Sequence, residues 1–131
     1  MSAGAKLKTG YRALPWGVLK VLNAGTARHC PVCEARVRKF LPFGGAYARQ
    51  DAMCPVCFSL ERHRYAWLFL KEHSNLFDGN PKRFLHFAPE LAFERQFRRM
   101  SWLDYLTADL YKKKVMAKVD IEAMPFADQS F

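Results

Sequence analysis

The chain has 131 residues, half of them hydrophobic and 15% aromatic, with 21 Lys and Arg against 12 Asp and Glu. This length suits one domain, or a small domain plus part of another, and the apolar content excludes a disordered chain. The formal charge of +9 permits contact with nucleic acid, acidic membrane or anionic substrates but selects none of them, because the basic residues spread from Lys6 to Lys118 with one short run, Lys112-Lys113-Lys114.

In chain order, Met1 to Thr9 is a basic start that reads as flexible. Leu14, Val18, Leu19 and Leu22 then follow a helical period, with Pro15 in the first turn and Asn23-Ala24-Gly25 as a stop. Residues 1–28 are thus a basic tail and a short amphipathic helix that packs on the fold; membrane-surface binding is the sharper alternative. No apolar stretch reaches the roughly 20 residues that span a bilayer. No signal-peptide cleavage pattern follows the start, so a cytoplasmic location is expected.

Residues 29–58 hold all four cysteines, in two matched turns, Cys30-Pro31-Val32-Cys33 and Cys54-Pro55-Val56-Cys57, with twenty residues between them. Two Cys-x-x-Cys turns can complete a tetrahedral sulfur shell, the ligand set of a structural Zn²⁺ site. Four thiolates around Zn²⁺ change the charge by −2, to about +7. Two disulfides are the main alternative, disfavoured without a secretory signal, and thiol redox chemistry is another. His29 adjoins Cys30 and reads as a neighbour of the site. Val37, Phe40, Leu41 and Phe43, turned at Gly44-Gly45, suggest a small β-hairpin that bound metal would help to fold. Arg36, Arg38 and Lys39 either contact phosphate or offset the anionic metal centre.

Residues 59–80 read as a linking helix with Ser59 as its N-cap, an apolar band of Leu60, Ala66, Trp67, Phe69 and Leu70, and a structural His63. It ends in the turn-rich Phe77-Asp78-Gly79-Asn80-Pro81. Residues 81–131 alternate strand and helix. Phe84 to Ala88 is a strand. Pro89 sits in the first turn of a helix, with Phe93, Phe97 and Met100 on one face and Glu94 paired with Arg98. Leu103 to Leu110 is a second strand ending at Asp109, Lys112 to Lys114 an exposed loop, and Val115 to Ile121 a third strand with Asp120 near its end. Strand, helix, strand implies a parallel crossover and an open α/β sheet.

From the cysteine turns onward, six runs resemble the class I S-adenosylmethionine-dependent methyltransferases (methyltransferase type 11-like), closest to those with a zinc-ribbon-like head. They are the two Cys-Pro-Val-Cys turns, Ser59-Leu60-Glu61-Arg62-His63-Arg64, Leu85-His86-Phe87-Ala88-Pro89-Glu90, Leu106-Thr107-Ala108-Asp109-Leu110, and Asp120 to Phe131. The resemblance covers about residues 29–131. It implies an α/β fold: a zinc-ribbon-like module with four cysteine ligands and a helix, then the first three strands of a Rossmann-like sheet, incomplete. It implies S-adenosylmethionine at Ala88, Pro89, Glu90, Asp109, Leu110, Asp120 and Ile121, and structural Zn²⁺ at Cys30, Cys33, Cys54 and Cys57. Asp109 would accept from the ribose hydroxyls, Asp120 from the adenine amine, Ile121 would pack on the ring, and Glu90 would take the cofactor's amine. The family's first motif carries glycines where this chain has Ala88-Pro89-Glu90. The resemblance also makes the chain an amino-terminal fragment, inactive as written, with its methyl acceptor and catalytic residues unknown. The alternative is a stand-alone zinc module that contacts nucleic acid or a protein through Arg36, Arg38, Lys39 and the Lys112 to Lys114 loop. Strand-end Asp109 and Asp120 favour the methyltransferase.

Overall fold

Pro15 decides where the helix expected from Leu14 to Leu22 starts. In the computed structural model, which describes residues 10–131, Pro15 stands just before helix α1 (Trp16–Leu22) with extended backbone, φ −57° and ψ 145°, rather than inside its first turn. Its carbonyl accepts from the Leu19 N–H at 3.1 Å. Trp16 and Leu19 form the buried face, while Val18, Val21 and Leu22 are exposed. The expected stripe through Val18 and Leu22 is therefore not the packed one: starting the helix after Pro15 puts the large indole of Trp16 one turn from Leu19. Asn23 ends the helix as expected, its side-chain amide donating to the Leu19 carbonyl at 2.7 Å. The basic start, Met1 to Thr9, lies outside the described residues.

The chain forms two compact units, Met1–Arg64 and Tyr65–Phe131. The first contains two antiparallel hairpins, β1 (Ala24–Cys30) with β2 (Ala35–Val37) and β3 (Leu41–Phe43) with β4 (Arg49–Met53). Nothing in the periodicity marks β1, because its residues are largely exposed until Cys30. Gly25 lets it close on its neighbour: a Cβ there would stand 2.7 Å from the backbone nitrogen of Arg38. The second hairpin is the expected one, turned where Gly44 takes φ +111°, a conformation open mainly to glycine.

Helix α2 (Glu61–His73) begins in the first unit and runs into the second. Ser59 does not cap it. The first intrahelical bonds go to the Leu60 carbonyl, from His63 and Arg64. The His63 imidazole accepts from the Leu60 N–H through Nδ1 at 3.1 Å, closing that turn. His63 is thus buried and structural, as expected.

In the second unit, β5 (Lys82–Phe87) and β6 (Leu103–Ala108) pair in parallel, from Lys82 opposite Leu103 to Phe87 opposite Ala108. Helix α3 (Leu91–Phe97) makes the crossover. An aromatic core holds it: Trp67 stacks on Phe93 at 5.7 Å, and Phe97 meets Phe84 at 4.8 Å and Tyr105 at 5.7 Å. Phe93 and Phe97 are buried and Met100 half-buried. Glu94 and Arg98 pair at 2.7 Å. Pro89 lies before α3 rather than in its first turn, and the Glu90 carbonyl takes the first helical bonds.

The expected third strand, Val115 to Ile121, does not form. Only Ala117 bridges β6, opposite Ala108. Ala117 donates to the Thr107 carbonyl at 3.0 Å and accepts from the Asp109 N–H at 3.3 Å, a single parallel rung, and the Met116 N–H donates to the Thr107 hydroxyl at 3.0 Å. The sheets are therefore two antiparallel pairs and one parallel pair, a mixed α/β arrangement. No helix among the described residues is long and apolar enough to cross a membrane.

Candidate functional site

The matched cysteine turns converge. Cys30 ends β1 and Cys54 follows β4, so each hairpin delivers one turn. Cys30 and Cys57 sulfurs are 3.7 Å apart, Cys33 and Cys54 sulfurs 3.8 Å, and all four lie within 4.8 Å of one another. Regular tetrahedral coordination with Zn–S near 2.3 Å spaces sulfurs about 3.8 Å apart. A disulfide would bring two to about 2 Å, and all four cysteines are free and buried. The cluster could hold a metal ion such as zinc.

Local backbone shapes each turn for this. Proline follows the first cysteine of both and fixes φ for a tight turn. The residue after the second cysteine is left-handed in both, Glu34 at φ +55° and Phe58 at +63°. The Val56 N–H donates to the Cys54 sulfur at 3.4 Å. Ser59, fully buried, holds its hydroxyl 3.3 Å from the Cys30 sulfur and 3.2 Å from that of Cys57. Serine two residues past the second turn is the functional neighbour that sequence reading took for a helix cap. His29 pairs instead with Glu34 at 2.9 Å.

Crowding splits the thiols' proton affinities. Hydrogen bonding from Cys33, Cys54 and Cys57 holds Cys30 far below the ordinary thiol range. Its bond to Cys30 drives Cys33 far above it, and the same partner raises Cys57. Cys54 is pushed up by Cys30 but lowered overall by Cys33 and Cys57. Four thiolates this close repel one another, and a divalent cation balances two of their four charges.

A second site lies beyond the carboxyl ends of β5 and β6. Phe87, Ala88, Asp109, Leu110, Val119, Asp120 and Ile121 line a cleft of about 380 Å³. Five of the seven residues expected at the cofactor therefore meet there. Pro89 and Glu90 do not line it: Pro89 is buried, and the Glu90 carboxylate lies 3.3 Å from His86 Nε2. Ala88 takes φ +48°, so the turn has the left-handed backbone that glycine favours although no glycine is present. The Asp109 carboxylate accepts from the Tyr111 and Lys112 N–H groups, each at 2.7 Å, through Oδ1. Those bonds, Lys112 first, hold it below the usual carboxylate range, aided by the charges of Lys118 and Lys112. Asp120 accepts from the Glu122 N–H at 2.9 Å.

Two neighbours of the cleft escape sequence reading. Lys112, taken as a loop cation, donates through its ammonium to the Pro89 carbonyl and ties the loop after β6 to the turn after β5. His86 lies between Tyr105 Oη, 2.7 Å from Nδ1, and Glu90. Burial, then the charge of Glu94, raises the Tyr105 phenol well above its usual value. Only the parallel register, which sets β5 beside β6, brings His86 and Tyr105 together. Comparison with protein-family models, curated proteins and solved structures finds no match for this chain.

Proposed function

We propose that the chain binds the cofactor of an S-adenosylmethionine-dependent methyltransferase and holds a structural Zn²⁺ at Cys30, Cys33, Cys54 and Cys57. The observation that supports it is the cleft at the strand ends, where Ala88, Asp109, Leu110, Asp120 and Ile121 meet. Ligands of open parallel α/β arrangements bind beyond the carboxyl ends of the strands. Asp109 would accept from the ribose hydroxyls: its Oδ1 is occupied by backbone, and Oδ2 makes no hydrogen bond among the described residues. Asp120 would accept from the adenine amine, with Ile121 against the ring. Ala88 in its left-handed turn lets backbone approach the cofactor as a glycine would.

The bound cofactor supplies an electrophilic methyl sulfonium. The chain's own contribution is to hold it, orient it and exclude water, which are the effects that lower the barrier to methyl transfer. Zn²⁺ enclosed by four cysteines has no open position and is structural. Photo-crosslinking with radiolabelled S-adenosylmethionine tests the reading. Label on peptides containing Asp109 or Asp120, lost with excess S-adenosylhomocysteine, is expected. Label confined to other peptides, or insensitive to the competitor, overturns it.

A further inference from the structure

The chain's charge is not shared between its two units. Residues 1–64 hold eleven Lys and Arg against three Asp and Glu, and residues 65–131 hold ten against nine. The first unit is thus +8 and the second +1. Even after a tetrathiolate zinc site takes two charges, the first keeps about +6.

Its three carboxylates are already engaged. Asp51 pairs with Arg28, Glu61 takes Arg49 at 3.2 and 3.3 Å, and Glu34 pairs with His29. Arg36 and Lys39 are exposed and make no ion pair among the described residues. Ala35 and Val37 are buried on β2, which turns Arg36 outward, and Arg38 and Lys39, just past the strand, are both exposed. His29 stands opposite Arg36 across the ribbon. The Arg38 guanidinium donates to the Leu22 carbonyl at 2.7 Å, which holds it beside Lys39. Arg38 and Lys39, with Asn23 and Leu41, line a recess of about 410 Å³.

We propose that the exposed basic run of Arg36, Arg38 and Lys39, on and just after β2, docks the phosphate backbone of a nucleic acid. Three exposed cations within four residues suit a polymer of closely spaced anions. Guanidinium forks match phosphate oxygens. The Lys112 to Lys114 loop is not part of this surface, because it belongs to the nearly neutral unit.

The test needs no S-adenosylmethionine, so its failure is separate from failure of the methyl-transfer reading. The full zinc-loaded chain is titrated into a fluorescent single-stranded RNA of ~20 nucleotides, with anisotropy read between about 50 and 200 mM salt. Saturable binding that weakens steeply with salt is expected. Arg36→Ala with Lys39→Ala should keep zinc and circular dichroism, bind about tenfold more weakly, and lower the salt slope by about 1.4. Lys113→Ala with Lys114→Ala should bind like the parent. Binding indifferent to salt, equal loss in the two double variants, or displacement of the RNA by polyglutamate or phosphatidylserine vesicles at matched charge would overturn the proposal.

Discussion

Ala88 is exposed, so its methyl group packs on little, yet its backbone sits at φ +48°. A side chain in the left-handed region costs about 1–2 kcal/mol. Replacing it with glycine removes that strain but adds unfolded-chain entropy of about 0.5–1 kcal/mol. Ala88→Gly should therefore stabilise the chain by up to about 1 kcal/mol, read as a higher urea midpoint with an unchanged slope. A lower midpoint would mean that the methyl group makes a contact stronger than the strain. The Ala88 N–H bond to the Ala108 carbonyl at 3.0 Å does not involve the side chain, so the substitution leaves it intact. This residue also shows why the missing glycines of the first motif are a weak objection: the turn adopts their conformation without them.

At the scale of elements, legibility followed pattern. The β3–β4 hairpin, the crossover and the Phe93–Phe97 face were readable because each has a local signal: paired glycines, alternation, or i,i+4 spacing. β1 was not, since its strand character comes from pairing with β2 and from the clearance at Gly25, not from its own residues. The third strand was over-read because Val115 to Val119 alternates like a strand, while among the described residues only Ala117 bridges β6. The cysteine turns were legible from spacing alone, whereas the place of Ser59 between two sulfurs depends on hairpin geometry. The first hairpin turns through one cysteine pair and the second is followed by the other, so metal should order both. Chelation of the metal should abolish hydrogen-exchange protection in β1 to β4 and leave protection in β5 and β6. Protection in β1 to β4 that survives demetallation would remove the metal's role in folding the first unit.

At the scale of the whole molecule, the two units differ in what stabilises them and in what they offer a partner. The first buries Trp16, Leu19, Phe40, Met53 and Leu60 beside two small hairpins, and binding of structural Zn²⁺ contributes about 10–16 kcal/mol in small domains of this kind. The second has an aromatic core of Trp67, Phe84, Phe93, Phe97 and Tyr105. Charge is concentrated in the first unit and the strand-end cleft belongs to the second. The proposed cofactor cleft and the proposed nucleic-acid surface thus fall in separate units of one chain. Isothermal titration of the zinc-loaded chain with S-adenosylmethionine tests the central claim most directly, run beside Asp109→Ala. One saturable site, weakened tenfold or more by the substitution while zinc content and urea midpoint hold, is the predicted result, since loss of a hydrogen bond to a charged group costs about 1.5–3 kcal/mol. No heat of binding at millimolar cofactor, or equal affinity in both proteins, would contradict it.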